Sequence, residues 1–334
     1  MPQWDFLNFL SERAQQFDNF DLRMEYEATD LLRDRGKITG VAVQTPNGPK
    51  EITADLVVAC DGRHSTIRKA AGLPMTEFGV PIDVLWFRIG RHTNDPEQLF
   101  GNINYGRALV LINRGDYFQA GLIIRKDSFE DFKRAGLEAF RDTIAQIAPY
   151  LRDSVQELKN WDQIKLLSVK LDRLERWYQP GLLCIGDAAH AMSPAGGVGI
   201  NLAIQDAVAT ANLLTDALRE GRDTHGLLAR VQCRREFPTR MTQAAQANAH
   251  KVFARVFRNP GPLRAPWQLK AAVRIPGITH ALGRAVGVGV RPEHIDGTKR
   301  SPAYRNGRLA KIALAFGVAA GVLVVGRKLV RRAA

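Results

Sequence analysis

The chain has 334 residues, 45% hydrophobic and 24% charged, enough to bury a real core and too mixed for a disordered, collagen-like or polytopic membrane protein. Its net charge of +13 is unevenly placed: residues 251–334 hold 17 Lys and Arg against Glu293 and Asp296, while residues 1–250 hold 30 bases and 32 acids. A nearly neutral body therefore carries a basic tail, suited to nucleic acid or an anionic membrane surface.

Cys60, Cys184 and Cys233 exclude a disulfide framework, lack metal-site spacing and suit a reducing, cytoplasmic setting. No secretory signal opens the chain. Trp4, Phe6, Leu7, Phe9 and Leu10 recur at helical spacing and predict an amphipathic helix over 3–17. Strands are predicted at Leu22–Tyr26, Ala28–Asp34 and Val41–Gln44, with a turn at Gly36 and a stronger one at Asn47-Gly48-Pro49. The apolar run Leu56–Cys60 reads as a strand covered on both faces, ending at Asp61-Gly62. Val84–Ile89, Ala108–Ile112 and Tyr117–Ile124 predict an antiparallel sheet, followed by a helix near Phe129–Tyr150 and a returning strand at Gln163–Leu171. Gly181–Gly186 is a second buried strand, ending at Asp187. Asn201–Leu218 is helical, and helical pattern runs on to about Phe257. Pro260, Pro262 and Pro266 mark a linker.

The informative string is Gly186-Asp187-Ala188-Ala189-His190, continuing through Pro194-Ala195-Gly196-Gly197-Val198-Gly199-Ile200-Asn201 to Ala207. An acid at the carboxyl end of a buried strand sits where open α/β sheets bind ligands and can accept from ligand hydroxyls. The glycines let backbone N–H groups approach a flat ligand. A helix beginning near Ile200 aims its positive end at that ligand, where a ring that becomes anionic on reduction is stabilised. A second string, Asp61-Gly62-Arg63-His64-Ser65-Thr66-Ile67-Arg68, again places an acid and a turn glycine after an apolar strand. Asp61 either holds a ligand or caps the next helix, and Arg63 and Arg68 are candidates for phosphates.

Together the two strings resemble the flavoprotein monooxygenases of the para-hydroxybenzoate hydroxylase type. The resemblance implies an α/β fold: a doubly wound FAD-binding core, incomplete at the N-terminus, with an inserted, largely antiparallel substrate-binding sheet. It divides the chain into 1–80 and 176–258 for the core, 81–175 for the inserted sheet and helix, and 259–334 for the basic tail. It implies that Gly186 and Asp187 contact the ribityl chain of FAD. Pro194, Gly196, Gly197, Val198, Gly199, Ile200 and Asn201 lie along the flavin ring. Asp61 and Gly62 lie near the dinucleotide, and Gln3, at a helix start, near the FAD phosphates. The implied activity is an NAD(P)H-using monooxygenase that transfers one atom of O₂ to an aromatic or lipophilic small molecule, with NADH or NADPH as reductant. No catalytic acid or base is named. The alternatives are an inactive remnant and a flavin reductase acting on isoprenoid chains.

The family opens with a Gly-x-Gly-x-x-Gly unit, and this sequence contains none. The resemblance begins at the helix near Trp4–Ala14, so an incomplete chain or a remnant without flavin is expected. His190 lacks ligand spacing to any neighbour and reads as a residue fixing the loop; no metal site is expected. His64 faces either a phosphate or solvent. Cys60 and Cys184 read as inert core residues. Leu85, Phe87, Leu109, Leu111, Phe118 and Leu122 either face a substrate or pack the core. Finally, residues 312–326 form fifteen uncharged positions flanked by Lys311, Arg327 and Lys328. As a helix they measure about 22 Å, short of the roughly 30 Å hydrocarbon core. The basic flanks suit membrane attachment through the tail, by a span or a surface anchor, rather than nucleic-acid binding.

Overall fold

The computed structural model describes residues 3–92, 100–259 and 274–296, with single positions between them. The segment 312–326 lies outside the described residues. Among those described, no helix is long and apolar enough to cross a membrane.

Helix α1 covers Gln3–Ala14. Trp4, Leu7, Phe9 and Leu10 are exposed, so the apolar stripe that predicts a buried face is uncovered among the described residues. Residues 21–26 form no strand, in contrast to the expectation for Leu22–Tyr26. Phe20, Leu22 and Met24 are exposed there, and among the described residues no strand lies beside them to pair with.

Strands β1 (Glu27–Asp34), β2 (Lys37–Thr45) and β3 (Gly48–Thr53) form an antiparallel sheet in that order. The β1–β2 turn places Arg35 and Gly36 at φ 46° and 82°, the pair of positive φ values that matches a hairpin's twist. This sheet is fastened to the rest by Ile38 N–H, which donates to the Pro180 carbonyl at 2.8 Å. Only glycine permits the approach, since a Cβ on Gly181 would lie 2.0 Å from the Ile38 oxygen.

The core of the α/β region is a parallel pair, β4 (Val57–Ala59) beside β13 (Leu182–Cys184). The other edge of β13 pairs with the two-residue β12 (Tyr178–Gln179). Parallel neighbours need a long crossover, and here it contains a whole second sheet. Short helix α2 (Thr66–Ala70) follows β4. Strand β5 (Met75–Glu77) pairs with β11 (Asp172–Leu174) as a two-stranded link. Strands β6 (Ile82–Gly90), β7 (Phe100–Asn104), β8 (Arg107–Asn113), β9 (Tyr117–Arg125) and β10 (Lys165–Leu167) form the inserted sheet, antiparallel throughout, in the order β10-β6-β9-β8-β7. The expected strand at Gln163–Leu171 is thus only three residues long, and β10 and β7 join the three longer strands the sequence predicts.

Successive side chains alternate between the two faces of this sheet. Leu85, Phe87, Leu109, Leu111, Phe118 and Leu122 face helices α3 (Phe129–Ala135) and α4 (Leu137–Ile147) and are buried with Phe140 and Ile144. Of the two readings open for these six, core packing holds. The opposite face, with Val84, Ala108 and Ile123, meets Phe253 and Phe257. The single helix expected near Phe129–Tyr150 is broken at Gly136, φ 91°.

Two long helices complete the fold: α5 (Gly199–Arg219) and α6 (His225–Val256). Helix α7 (Ile278–Gly287) leads into a segment that lies along α5. Asn201 donates to the Gly287 carbonyl at 2.8 Å, Gln205 to Val288 at 3.1 Å and Asn212 to His294 at 2.8 Å. Arg234 clamps Glu293 with two hydrogen bonds of 2.6 and 2.7 Å. The start of the basic tail is therefore bound to the body as far as Asp296.

One expectation fails in an informative place. Among the described residues the strand ending at Asp61 is not covered on both faces: β4 is an edge, Val58 is 38% exposed and Cys60 is exposed. Cys60 is no core residue, although burial of its sulfur and nearby Asp61 push its thiol pKa up. Cys184 is buried, and burial followed by the Asp61 charge raises its pKa to about 12. It is inert, as the sequence suggests.

Candidate functional site

The two acid-ending strands run parallel, so β4 and β13 deliver Asp61 and Asp187 to the same end of the pair. Each has a distinct task. The Asp61 carboxylate accepts from the Ser65 hydroxyl at 2.5 Å and from the Ile67 backbone N–H at 3.1 Å, while the Ser65 hydroxyl accepts from Arg68 N–H at 2.9 Å. Of its two readings, the helix cap is the one present. Arg68 is buried and donates to the carbonyls of Ala188 and Arg63 at 3.1 and 2.9 Å, with Asp172 3.6 Å away. It holds the two motifs together. His64 is exposed.

Arg63 is the polar group that reaches across. Its Nη2 lies 3.5 Å from the Asp187 carboxylate, and its Nη1 is buried without a hydrogen-bond partner among the described residues. Asp187 keeps 29% of its side-chain surface open. A long contact and an unused donor leave both groups free to hydrogen-bond a ligand.

Gly186 turns the chain from β13 into a single 3-10 turn over Gly186–Ala188. Its φ is 58°, and a Cβ would sit 3.0 Å from the Ala203 methyl carbon, so the turn after β13 passes close to α5 here. Beyond it, Gly196 and Gly197 adopt φ 85° and 62° and are exposed, as is Ile200, while Val198 is buried. Pro194 is half-buried. Helix α5 begins at Gly199 with no side-chain cap on its first N–H groups, which leaves donors and a positive dipole end at the loop. Asn201 gives one N–H of its amide to the Gly287 carbonyl. Gln3 opens α1, and its side chain lies outside the described residues. Gly62, φ 84°, makes the turn after Asp61.

A buried network fixes this loop, and most of its members escape the sequence reading. Asp206 of α5 is fully buried. Its carboxylate accepts from Gly186 N–H at 3.1 Å, from His190 Nε2 at 2.6 Å and from Arg235 Nε at 2.9 Å. Burial alone would raise its pKa, but the His190 and Arg235 charges and hydrogen bonds outweigh that and hold it below the usual carboxylate range. A carboxylate only accepts, so His190 carries its proton on Nε2. His190 thus fixes the loop, as its sequence context predicts.

From α6, Gln246 donates to the Ser193 and Ala195 carbonyls at 2.8 and 2.9 Å and accepts from Ser193 N–H at 3.1 Å. Gln243 donates to Asp172 O at 2.7 Å, and His250 Nε2 lies 2.8 Å from the Ser193 hydroxyl. Burial lowers the His250 pKa, so this ring is neutral at pH 7. Thr239, Gln243, Gln246 and His250 share one helix face by their spacing. That polar stripe was the available signal. Among the described residues no group of acids, His and Cys could hold a metal ion.

Residues 1–245 match the sequence profile of the FAD binding domain family. The chain belongs to that family. Over 277 residues it is 30% identical to the 6-methylpretetramide 4-monooxygenase of Streptomyces rimosus, covering 82% of this chain and 65% of that protein. It is 27% identical over 215 residues to digeranylgeranylglycerophospholipid reductase 2 of Methanothermobacter thermautotrophicus, covering 62% and 52%. Among solved structures, PqsL of P. aeruginosa in complex with 2-aminobenzoylacetate superimposes with TM-score 0.63 at 20% identity, over 77% of this chain and 70% of that one. The fold is thus that of the FAD-dependent monooxygenases. The chain spans under two-thirds of the length of these two curated relatives.

The residues present fit one part of the cofactor. An unused buried guanidinium nitrogen, a half-open carboxylate, two exposed left-handed glycines and an uncapped helix start together suit a polyhydroxylated chain leading to a flat ring.

Proposed function

We propose that this chain holds the ribityl and ring portion of FAD and belongs to an NAD(P)H-using monooxygenase that hydroxylates an aromatic or lipophilic small molecule. The observation that carries this reading is the pairing of Arg63 with half-open Asp187 beside the glycine turn and the bare start of α5. In this reading Asp187 accepts from ribityl hydroxyls, and Arg63 supplies its unused N–H. The N–H groups of Gly197 and Gly199 and the α5 dipole stabilise negative charge at the ring edge. FAD supplies the redox chemistry when bound. The buried Asp206 and Gln246 contacts hold the loop in place, so little has to be ordered on binding. Asp61 supports the site by capping α2, and Asn201 by fixing Gly287.

The decisive experiment is titration of the purified chain with FAD, read by the flavin absorbance and by quenching of flavin fluorescence. One flavin per chain, lost on Asp187→Ala, supports the reading. No binding favours the inactive alternative. Oxygen uptake with NADH or NADPH then tests hydroxylation of candidate aromatic substrates. The likeness to the digeranylgeranylglycerophospholipid reductase favours one second reading, a reductase for isoprenoid chains, which predicts bound flavin and no substrate-stimulated oxygen uptake. Attachment of the tail to a membrane surface completes the proposal. It is tested by flotation with anionic vesicles, before and after removal of residues 305–334.

A further inference from the structure

A second cleft, of about 520 Å³, opens at one end of the inserted sheet and shares no lining residue with the flavin loop. That volume suits a small ligand. It lies between the start of β8, the end of β9, helices α3 and α4, and the end of α6, with Phe132, Phe140 and Phe257 as aromatic walls. Its charge is one-sided. Arg107 is half-buried on the helix-covered face, its guanidinium 5.5 Å from the centre of the Phe132 ring. Among the described residues the Arg107 side chain makes no ion pair and no hydrogen bond. The nearest charge acting on it is a second cation: burial and then Arg125 both lower its pKa. Arg125 gives one N–H to the Phe257 carbonyl at 3.0 Å. The lining carboxylate, Asp131, is turned to Arg134 on its own helix.

A half-buried guanidinium beside another cation and without a counter-charge is unfavourable. Its fork of donors matches a carboxylate or phosphate, and the aromatic walls beside it match an apolar body. The geometry points to a second binding site here, for a small amphiphilic anion: its acidic head on Arg107, its ring-sized apolar part among Phe132, Phe140 and Phe257. The site is separate from the proposed flavin chemistry, and its test does not depend on it.

The probe is 2-naphthoate, followed by its fluorescence on the full chain with and without excess FAD. Wild type is expected to bind one equivalent in both conditions. Arg107→Gln should weaken binding at least about tenfold, and the neutral analogue 2-naphthylmethanol should bind wild type at least about tenfold more weakly, each about 1.4 kcal/mol. Ala139→Phe places a ring in the cleft from an exposed helix position. It should abolish binding with the guanidinium intact, which guards against a folding defect in the arginine variant. A thermal melt confirms that both variants fold. Equal binding of the neutral analogue would overturn the proposal in favour of a plain apolar patch. Full displacement by equimolar inorganic phosphate would overturn it in favour of a simple anion site. Unchanged binding in both variants would place the probe elsewhere and overturn it outright.

Discussion

Two carboxylates on the same motif, Asp187 and Asp206, show how this fold divides its acids. Asp206 is fully buried and touched by a backbone N–H, an imidazole and a guanidinium, and the His190 ring centre lies 4.9 Å from the centre of the Trp177 ring. Asp187 is part-open, with one cation at 3.5 Å. A charge inside a protein survives only when its partners are in place. A charge at a strand end with a long, loose partner has bonding capacity to spare. The buried acid therefore holds the loop in place, and the part-open one keeps hydrogen-bonding capacity to spare.

The largest test of this contrast is Asp206→Ala. It strands Arg235 and His190 without their anion and should cost about 3–5 kcal/mol in urea unfolding. A loss below about 1 kcal/mol would break the comparison. Protonation probes the same network. Its folded pKa lies below the unfolded value, so its contribution is present above the unfolded pKa, about 4, and is lost as pH falls through the folded pKa. Stability measured from pH 5 to pH 2 should fall more steeply in wild type than in Asp206→Asn. Next, Asp187→Ala should weaken FAD binding by about ten- to a hundredfold, the worth of a charged hydrogen bond. It should move the urea midpoint little, because its ion pair is long and part-exposed. Gly197→Ala meets no atom within 4 Å but holds φ at 62°, so about 1 kcal/mol of left-handed strain is expected, read as a lower melting temperature. The smallest effect belongs to His250. Burial depresses its pKa, so the unfolded chain takes up the proton first and stability drops as pH falls below about 6.5. His250→Gln should flatten the stability profile between pH 7 and pH 5.

The parts legible in sequence were those written as local pattern. The strand–acid–glycine strings put Asp61 and Asp187 just beyond strand ends, as the parallel pair shows, because each string needs its residues adjacent in the chain. The alternation in β6, β8 and β9 gave the inserted sheet. What escaped was assembled from distant positions. Asp206, Arg235 and Glu293 are unremarkable on their own helices and segment, and become a network only after α5, α6 and the residues beyond α7 pack. The burial of Arg68 against the Ala188 carbonyl depends on β13 and is not written in its local motif. Residues 21–26 have strand-like composition but no partner strand, and composition cannot supply one.

Strand β4 carries a practical consequence. Among the described residues its outer edge, beside Val58, pairs with no strand, and the exposed residue Cys60 follows one position beyond the strand. Such an edge is a template for another strand. Two copies of the chain that met through it would bring their Cys60 residues near each other. Handling at high concentration without reductant should therefore produce a cross-linked species on non-reducing gels that disappears in Cys60→Ser, making this cysteine a reporter of whether the edge is covered.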